Sequence, residues 1–535
     1  MKILKYSILL AASLGFASCN DLEQSPSNQF TDTNFWTSID RAQNMVNMAY
    51  SQMYSASTMW SDESLSDNMI DGRSLTDERL IRRGMATPSL GTFSGTWGSL
   101  YGGIKTCNVF LGHIGDLQAD EAVKERMIAE VRFIRAMIYF RLTNLYGAVP
   151  FFTRDITLDE ANTIRRTPRE DVVDFIHAEL DDIMMTLPSR DMMPEAENGK
   201  ISRGAVAMLQ ARVYLMDSDW ENVIKYCDML INQQGTYGTY RLFDTYGGLF
   251  KEKNEYNCEV ILDRSYVPNL ITWGEMVDMA PLSAGARVIN RVPLQSLVDA
   301  YRMINGKRID ESGSGYDVRN PYANRDPRLS ETVCYDGYRW NEHTGSGPEV
   351  IITRPGGGTP DSYTGPGNNQ SVTAYYTAKY FSPQTEGDLN SGLNIIMMRY
   401  ADVLLMYAEA MFETGRMTQD VWDMTIRPIR ERAGFTNRNA LKYPATASED
   451  AMRSLIRDER RVELALEGLR WWDIKRWKAG KEYLDGMTYG ATFDGNRLQV
   501  ENRSFDENRD YLWAVPMSQI NLNSNLLPQN PGYSN

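Results

Sequence analysis

The chain has 535 residues, 42% of them hydrophobic, with 70 acidic against 56 basic side chains and a formal charge of −14. That length and apolar content are enough for a large buried core. The negative balance and the lack of any basic run exclude a nucleic-acid backbone as the natural partner and favour neutral or cationic ones.

The first feature in chain order is SILLAASLGFASCN, residues 7–20, behind Lys2 and Lys5. Residues 8–17 are mostly apolar but fall short of the roughly 20 residues a bilayer span needs, so they predict an export leader. Ala17 and Ser18 precede Cys19 as a cleavage point would, and the Cys19 thiol can then carry a diacylglycerol. The pattern resembles a bacterial lipoprotein lipobox, with Phe16 where Leu is more usual. Residues 1–18 are therefore read as a signal peptide and 19–30, polar and Pro-containing, as a lipidated start and tether. Residues 31–535 are read as one domain, with a helical scaffold at 31–234 and 396–535 and a loop-rich, ligand-side insertion at 235–395.

Helical periodicity begins at 38–54, where Ala42, Met45, Val46, Ala49 and Met53 share a face. It returns at 96–114, with Trp97 on the apolar side, and at 122–147, ended by Gly147 with Pro150 beyond. A further helix is expected at 169–186. Segments 202–216 and 220–231 then form a pair across a brief turn, like a tetratricopeptide (TPR) pair without a clean 34-residue repeat. Residues 235–395 are rich in Gly, Pro, Asn, Asp and Tyr; TRPGGGTPDSYTGPGNNQS is nearly all turn formers, and CEVIL suggests a short strand. Helices are expected again at 398–415, 421–434 and 447–477, the last with Ser448 as N-cap. The fold class is thus mainly α: TPR-like pairs supporting an irregular half with few short strands.

Several constellations could carry chemistry. Glu459, Glu463 and Glu467 recur every four residues, but the arginines around them, with Arg399 in an earlier segment, favour an ion-paired network over a catalytic acid pair. RWWDIKRW mixes bases and rings; Trp472 and Arg476 share a helical face, and the segment is read as structural. Cys107, Cys227, Cys258 and Cys334 form no CxxC pair and are expected as free thiols. His113, His177 and His343 are too far apart for a metal cluster or an evident triad. Asp361 and Asp388 lie in loops without an EF-hand pattern, so no metal and no cofactor are assigned. In MYSASTMWSDESLSDNMIDGR, Trp60 stands in what reads as a polar, flexible loop beside Asp67, Asn68, Asp71 and Arg73. Ring stacking plus hydroxyl hydrogen bonds would suit a sugar there. Tyr266 and Trp273 in SYVPNLITWGEM and Trp340 in YDGYRWNEHTG are similar candidates for glycan stacking.

Seven segments together resemble the SusD/RagB family: WGSLYGGIKTCNVFL, EVRFIRAMIYFRLTNLYGAVPFF, VPLQSLVDAYRMINGKR, NRDPRL, MRYADVLLMYAEA, IRDERRVELALEGLRWWDIKRW and LWAVPMSQINLNSNLLPQNPGY. The resemblance runs from Cys19 to Tyr533. It implies a lipid-anchored, surface-exposed outer-membrane lipoprotein that binds oligosaccharides, or in some branches peptides, as the lid of a SusC-like TonB-dependent transporter. It implies no catalysis. A TPR-like protein-interaction scaffold is the alternative, and a glycoside hydrolase is the weakest reading. The family's shared motifs are scaffold motifs, so they transfer no ligand-binding residue; the candidates above rest on loop position and chemistry.

Overall fold

The computed structural model describes residues 36–72, 76–381 and 389–534. The expected leader, Cys19, the tether, Arg73 and Asp388 lie outside these residues.

The architecture is mainly helical with few short strands, as the sequence predicts. The elements used below, in chain order, are α1 (Ile39–Ser51), α2 (Ala56–Ser64), β1 (Met69–Asp71), α3 (Gly91–His113), α4 (Glu121–Tyr146), α5 (Arg169–Met184), α6 (Arg203–Met216) and α7 (Trp220–Asn232). They continue with β2 (Val260–Arg264), β3 (Arg291–Pro293), β4 (Ile395–Arg399), α8 (Tyr400–Glu413), α9 (Glu449–Glu463), α10 (Arg470–Arg476), β5 (Gly486–Phe493) and β6 (Asn496–Arg503). Local chemistry explains their limits. The Asp120 carboxylate accepts from Ala122 and Val123 N–H to start α4, and Gly147, at φ 71°, ends it. Ser202, Asp219 and Ser448 cap α6, α7 and α9 in the same way.

The described strands pair only in twos, all antiparallel: β1 with β3 (Asp71 opposite Arg291), β2 with β4, and the β5–β6 hairpin among them. One core buries the inner faces of α1 and α3–α8, including Trp97, Cys107 and Cys227, and takes in Trp513 and Val515 near the chain's end. A second core is built from α2, β1, β3 and the irregular segments between Tyr246 and Ile396. All four cysteines in the described residues are free thiols.

Two helix expectations need correction. Segment 421–434 divides into Gln419–Met424 and Ile426–Ala433. Segment 447–477 is broken between α9 and α10. At the break Leu466 and Gly468 have φ of 61° and 74°, and a Cβ on Gly468 would meet the Tyr54 hydroxyl at 2.3 Å. The turn is held from α2: the Glu63 carboxylate accepts from Gly468 N–H at 2.8 Å, Leu466 N–H at 3.3 Å and Asn68 Nδ2 at 2.7 Å.

This break swings Glu467 into the expected ion-pair network, which ties α9 to the second core. Five cations (Arg328, Lys379, Arg399, Arg430 and Arg432) meet five carboxylates (Glu259, Asp326, Glu459, Glu463 and Glu467). All ten side chains are nearly dry. Burial would raise the Glu463 pKa, but Arg432, Arg399 and Arg328 outweigh it and hold the carboxyl at about 2.

RWWDIKRW is structural, as read, but its pairing differs. Trp471 is buried, while half-buried Trp472 donates its indole N–H to Asp62 and lies under Arg141 and Lys475. Arg476 instead reaches the Trp477 ring and the Glu409 carboxylate, because Glu409 on α8 offers it two oxygens at 2.6 and 2.7 Å.

Candidate functional site

The stretch expected to be a flexible binding loop is a buried joint. Trp60 lies on helix α2 at 1% exposure, against Trp273 and Tyr380 with ring centroids 5.5 Å away in each case. Trp273 is 4% exposed and donates its indole N–H to Leu393 O at 2.7 Å. Tyr266, also buried, accepts Ala56 N–H on its hydroxyl at 3.0 Å. Three of the sequence candidates therefore do come together, but as core: apolar positions of α2 seal the second core, so these rings offer no face to a sugar. Trp340 is fully buried against Phe381 at 4.7 Å. Asp67 is buried between Arg461 and Arg470, which overcome the effect of burial and hold its pKa below the usual range. Asn68 is likewise committed, to Glu63 and Arg461. The polar composition of 55–71 thus reflects internal pairing, not solvation.

Asp71 has a different setting. It ends β1 opposite Arg291 on β3, and Asn290 N–H donates to Asp278 O beside it. Asp71 is 2% exposed, yet its Oδ1 has no hydrogen-bond partner among the described residues. The same holds for buried atoms of three neighbours: Asp278 Oδ1, Glu275 Oε2 and Arg291 Nε. Buried polar atoms normally find partners, and either ordered water or a ligand hydroxyl would satisfy these carboxylate oxygens beside the guanidinium. Burial, with smaller contributions from Asp71 and Glu275 against Arg291, pushes the Asp278 carboxyl up to about 6. Position 72 must be small, because a Cβ there would meet Val372 Cγ2 at 2.4 Å.

Ring faces on the loop-rich half come from tyrosines. Half-buried Tyr322 and Tyr335 stack with centroids 3.9 Å apart, and Tyr335 meets Tyr338 edge-on at 5.3 Å. Their hydroxyls are anchored to Tyr375 and Ser330. Beside them Asp336 grips Arg354, whose side chain is largely in solvent. Tyr316, under Arg325, and Tyr489, under Arg497, are also half-exposed. Sequence reasoning quoted the stretch that carries Tyr335 but chose Trp340. It quoted the stretch that carries Glu275 but chose Tyr266 and Trp273, and it did not single out Asp278, Arg291, Tyr316 or Tyr322, dispersed polar or ring residues with no periodic signal. Asp361 spends its carboxylate on Leu282 N–H and on Ser283, and no group of three or more acid, His or Cys side chains suited to a metal exists among the described residues.

A rigid helical frame that presents hydrogen-bonding groups and ring faces on loops is the architecture of a binding protein for polar ligands. Two family models match the chain: "SusD family" over residues 274–533 and "Starch-binding associating with outer membrane" over 21–215. A SusD-like protein of Formosa agariphila, P2, is 26% identical over 99% of this chain and 100% of its own length. The crystal structure of a SusD-like carbohydrate-binding protein from Bacteroides fragilis is 28% identical, with a TM-score of 0.84, covering 92% of this chain and 100% of that one. The starch-binding protein SusD of Bacteroides thetaiotaomicron is 23% identical over 80% of this chain and 76% of its own. The chain belongs to the SusD/RagB family, a family of carbohydrate-binding, outer-membrane-associated proteins.

Proposed function

We propose that this protein is a cell-surface glycan-binding lipoprotein that works without catalysis as the lid of a SusC-like TonB-dependent transporter. Residues 1–18 are the leader in this reading, Cys19 carries the lipid, and residues 19–30 tether the single domain that follows. Family membership carries the reading, and the polar cluster of Asp71, Glu275, Asp278 and Arg291 is the candidate ligand contact. Sugar hydroxyls can donate to the carboxylates and accept from the guanidinium, while a tyrosine face takes the apolar side of a pyranose ring. A few such contacts give micromolar to millimolar binding. Closure follows if the glycan binds the closed lid–transporter pair more tightly than the open one.

Family membership and the starch-binding and carbohydrate-binding relatives support the ligand class. The test is isothermal titration of the soluble domain against neutral oligosaccharides, with pull-down of the native lipoprotein from outer membranes. Saturable heat with at least one glycan and co-isolation of a barrel transporter are expected. No heat with any glycan would overturn the ligand assignment, and isolation without a transporter would overturn the lid.

A further inference from the structure

We propose that a cavity of about 150 Å³ in the helical half is a second binding site, for a free neutral molecule carrying one aromatic ring. It lies among α3, α4, α6, β4 and α10, away from the loop face. Its wall is mostly apolar, with Leu100, Ile138, Leu209 and Leu215 buried in it, and also carries Gln52, Asn144 and the ion-paired residues below. A cavity of about this volume can hold a benzene-sized guest.

The lining selects for a ring. Four methionines, Met137, Met216, Met397 and Met398, face the space. Their thioethers adapt to a guest's shape and make favourable sulfur–aromatic contacts. Tyr54, Phe140 and Trp472, all half-buried, add ring surfaces.

The lining also selects against charge. Each charged wall residue already has an internal partner. Arg141 holds Asp62 through both carboxylate oxygens, Arg212 holds Asp402, Arg460 holds Asp402 and Asp473, and Arg476 holds Glu409 and Asp473. Glu467 belongs to the Arg399 and Lys379 pairs. A carboxylate or ammonium guest would lose its water and find no free counter-ion among the wall residues. Asp62 also accepts the Tyr54 hydroxyl and the Trp472 indole N–H. That one carboxylate sets three side chains around the cavity before any guest arrives.

The test uses the whole soluble domain and fluorobenzene followed by ¹⁹F NMR, with fluorobenzoate and fluorobenzylammonium as charged analogues. Leu209→Trp and Met216→Trp each place an indole in the cavity. Leu209 is in the core, whereas Met216 is half-exposed, so the second variant keeps the test if the first does not fold. Expected are a saturable one-to-one fluorobenzene signal, at least tenfold weaker binding of both charged analogues, and loss of the signal in the folded filled variant. Glycan titration heats stay the same in that variant. No saturable signal with the folded wild type, equal binding in a folded filled variant, or equal binding of a charged analogue would overturn the proposal.

Discussion

Replacing Glu463 by Gln tests what holds the two halves together. Its Oε1 accepts from Arg399 at 2.7 Å and from Arg432, and its Oε2 from Arg328 at 2.9 Å, all inside the protein. The Glu463→Gln side chain would keep the shape, leave one positive charge in excess, and turn an amide N–H₂ toward guanidinium donors. The carboxyl's fall from 4.5 to about 2 corresponds to about 3 kcal/mol of stability at neutral pH. Breaking a buried pair from one side costs about 3–5 kcal/mol, so both routes agree. Because the folded-state pKa is depressed, this contribution is complete above pH 4.5 and fades as pH falls toward 2. Urea unfolding at pH 7 should show a lowered midpoint for Glu463→Gln, with the gap to wild type closing as the pH drops below 4. Glu431→Gln is the control: its pair with Arg427 is solvent-exposed, so its midpoint should stay close to that of wild type. Equal midpoints for wild type and Glu463→Gln at pH 7, or a gap that ignores acid, would refute the reasoning.

Other outcomes follow from the same contacts. Trp60→Ala should lower stability by about 3–5 kcal/mol, read from thermal or urea melts, since its ring fills the second core; a melt matching wild type would return Trp60 to the surface. Glu63 behaves oppositely to Glu463. Burial outweighs the Asn68 and backbone N–H donors and pushes its pKa up to about 7, so its stabilising share is intact below pH 4.5 and lost as pH rises through 7. Relative to wild type, Glu63→Gln should therefore gain up to about 3 kcal/mol between pH 4.5 and 8, and a pH-independent difference would count against this. Cys19→Ala should move the protein from the detergent phase to the aqueous phase in a partitioning assay; retention with detergent would defeat lipid anchoring.

Much of the frame was legible because helices announce themselves. The steps at Ala42, Val46 and Ala49, the stop at Gly147 and the paired segments around 217–219 each have a local cause that a sequence displays. That these glutamates are ion-paired was legible, because a four-residue run of like charges needs opposite charges nearby, but of the arginines in view only Arg399 is a partner; Arg460 pairs with Asp402 and Asp473, and Arg461 and Arg470 with Asp67. The break before Arg470 was not legible, since it depends on Glu63, some 400 residues earlier, and on the close approach of Gly468 to Tyr54. The binding residues were hardest. Polarity around Trp60 suggested solvent, but Asp62, Glu63, Asp67 and Asn68 are polar because they bond other parts of the chain. The unsatisfied group is instead assembled by strand pairing between Asp71 and Arg291, a contact between segments far apart in the chain.

The most direct measurement is calorimetric titration of the best-binding neutral oligosaccharide into wild type, Asp278→Asn and Arg291→Gln, at pH 7 and pH 5. If the loop-rich half captures glycan through these groups, both variants stay folded and lose tenfold or more in affinity. Wild-type affinity also falls on acidification, as the Asp278 carboxyl with its pKa of about 6 takes up a proton. Undiminished affinity in both folded variants would place the sugar elsewhere on the molecule.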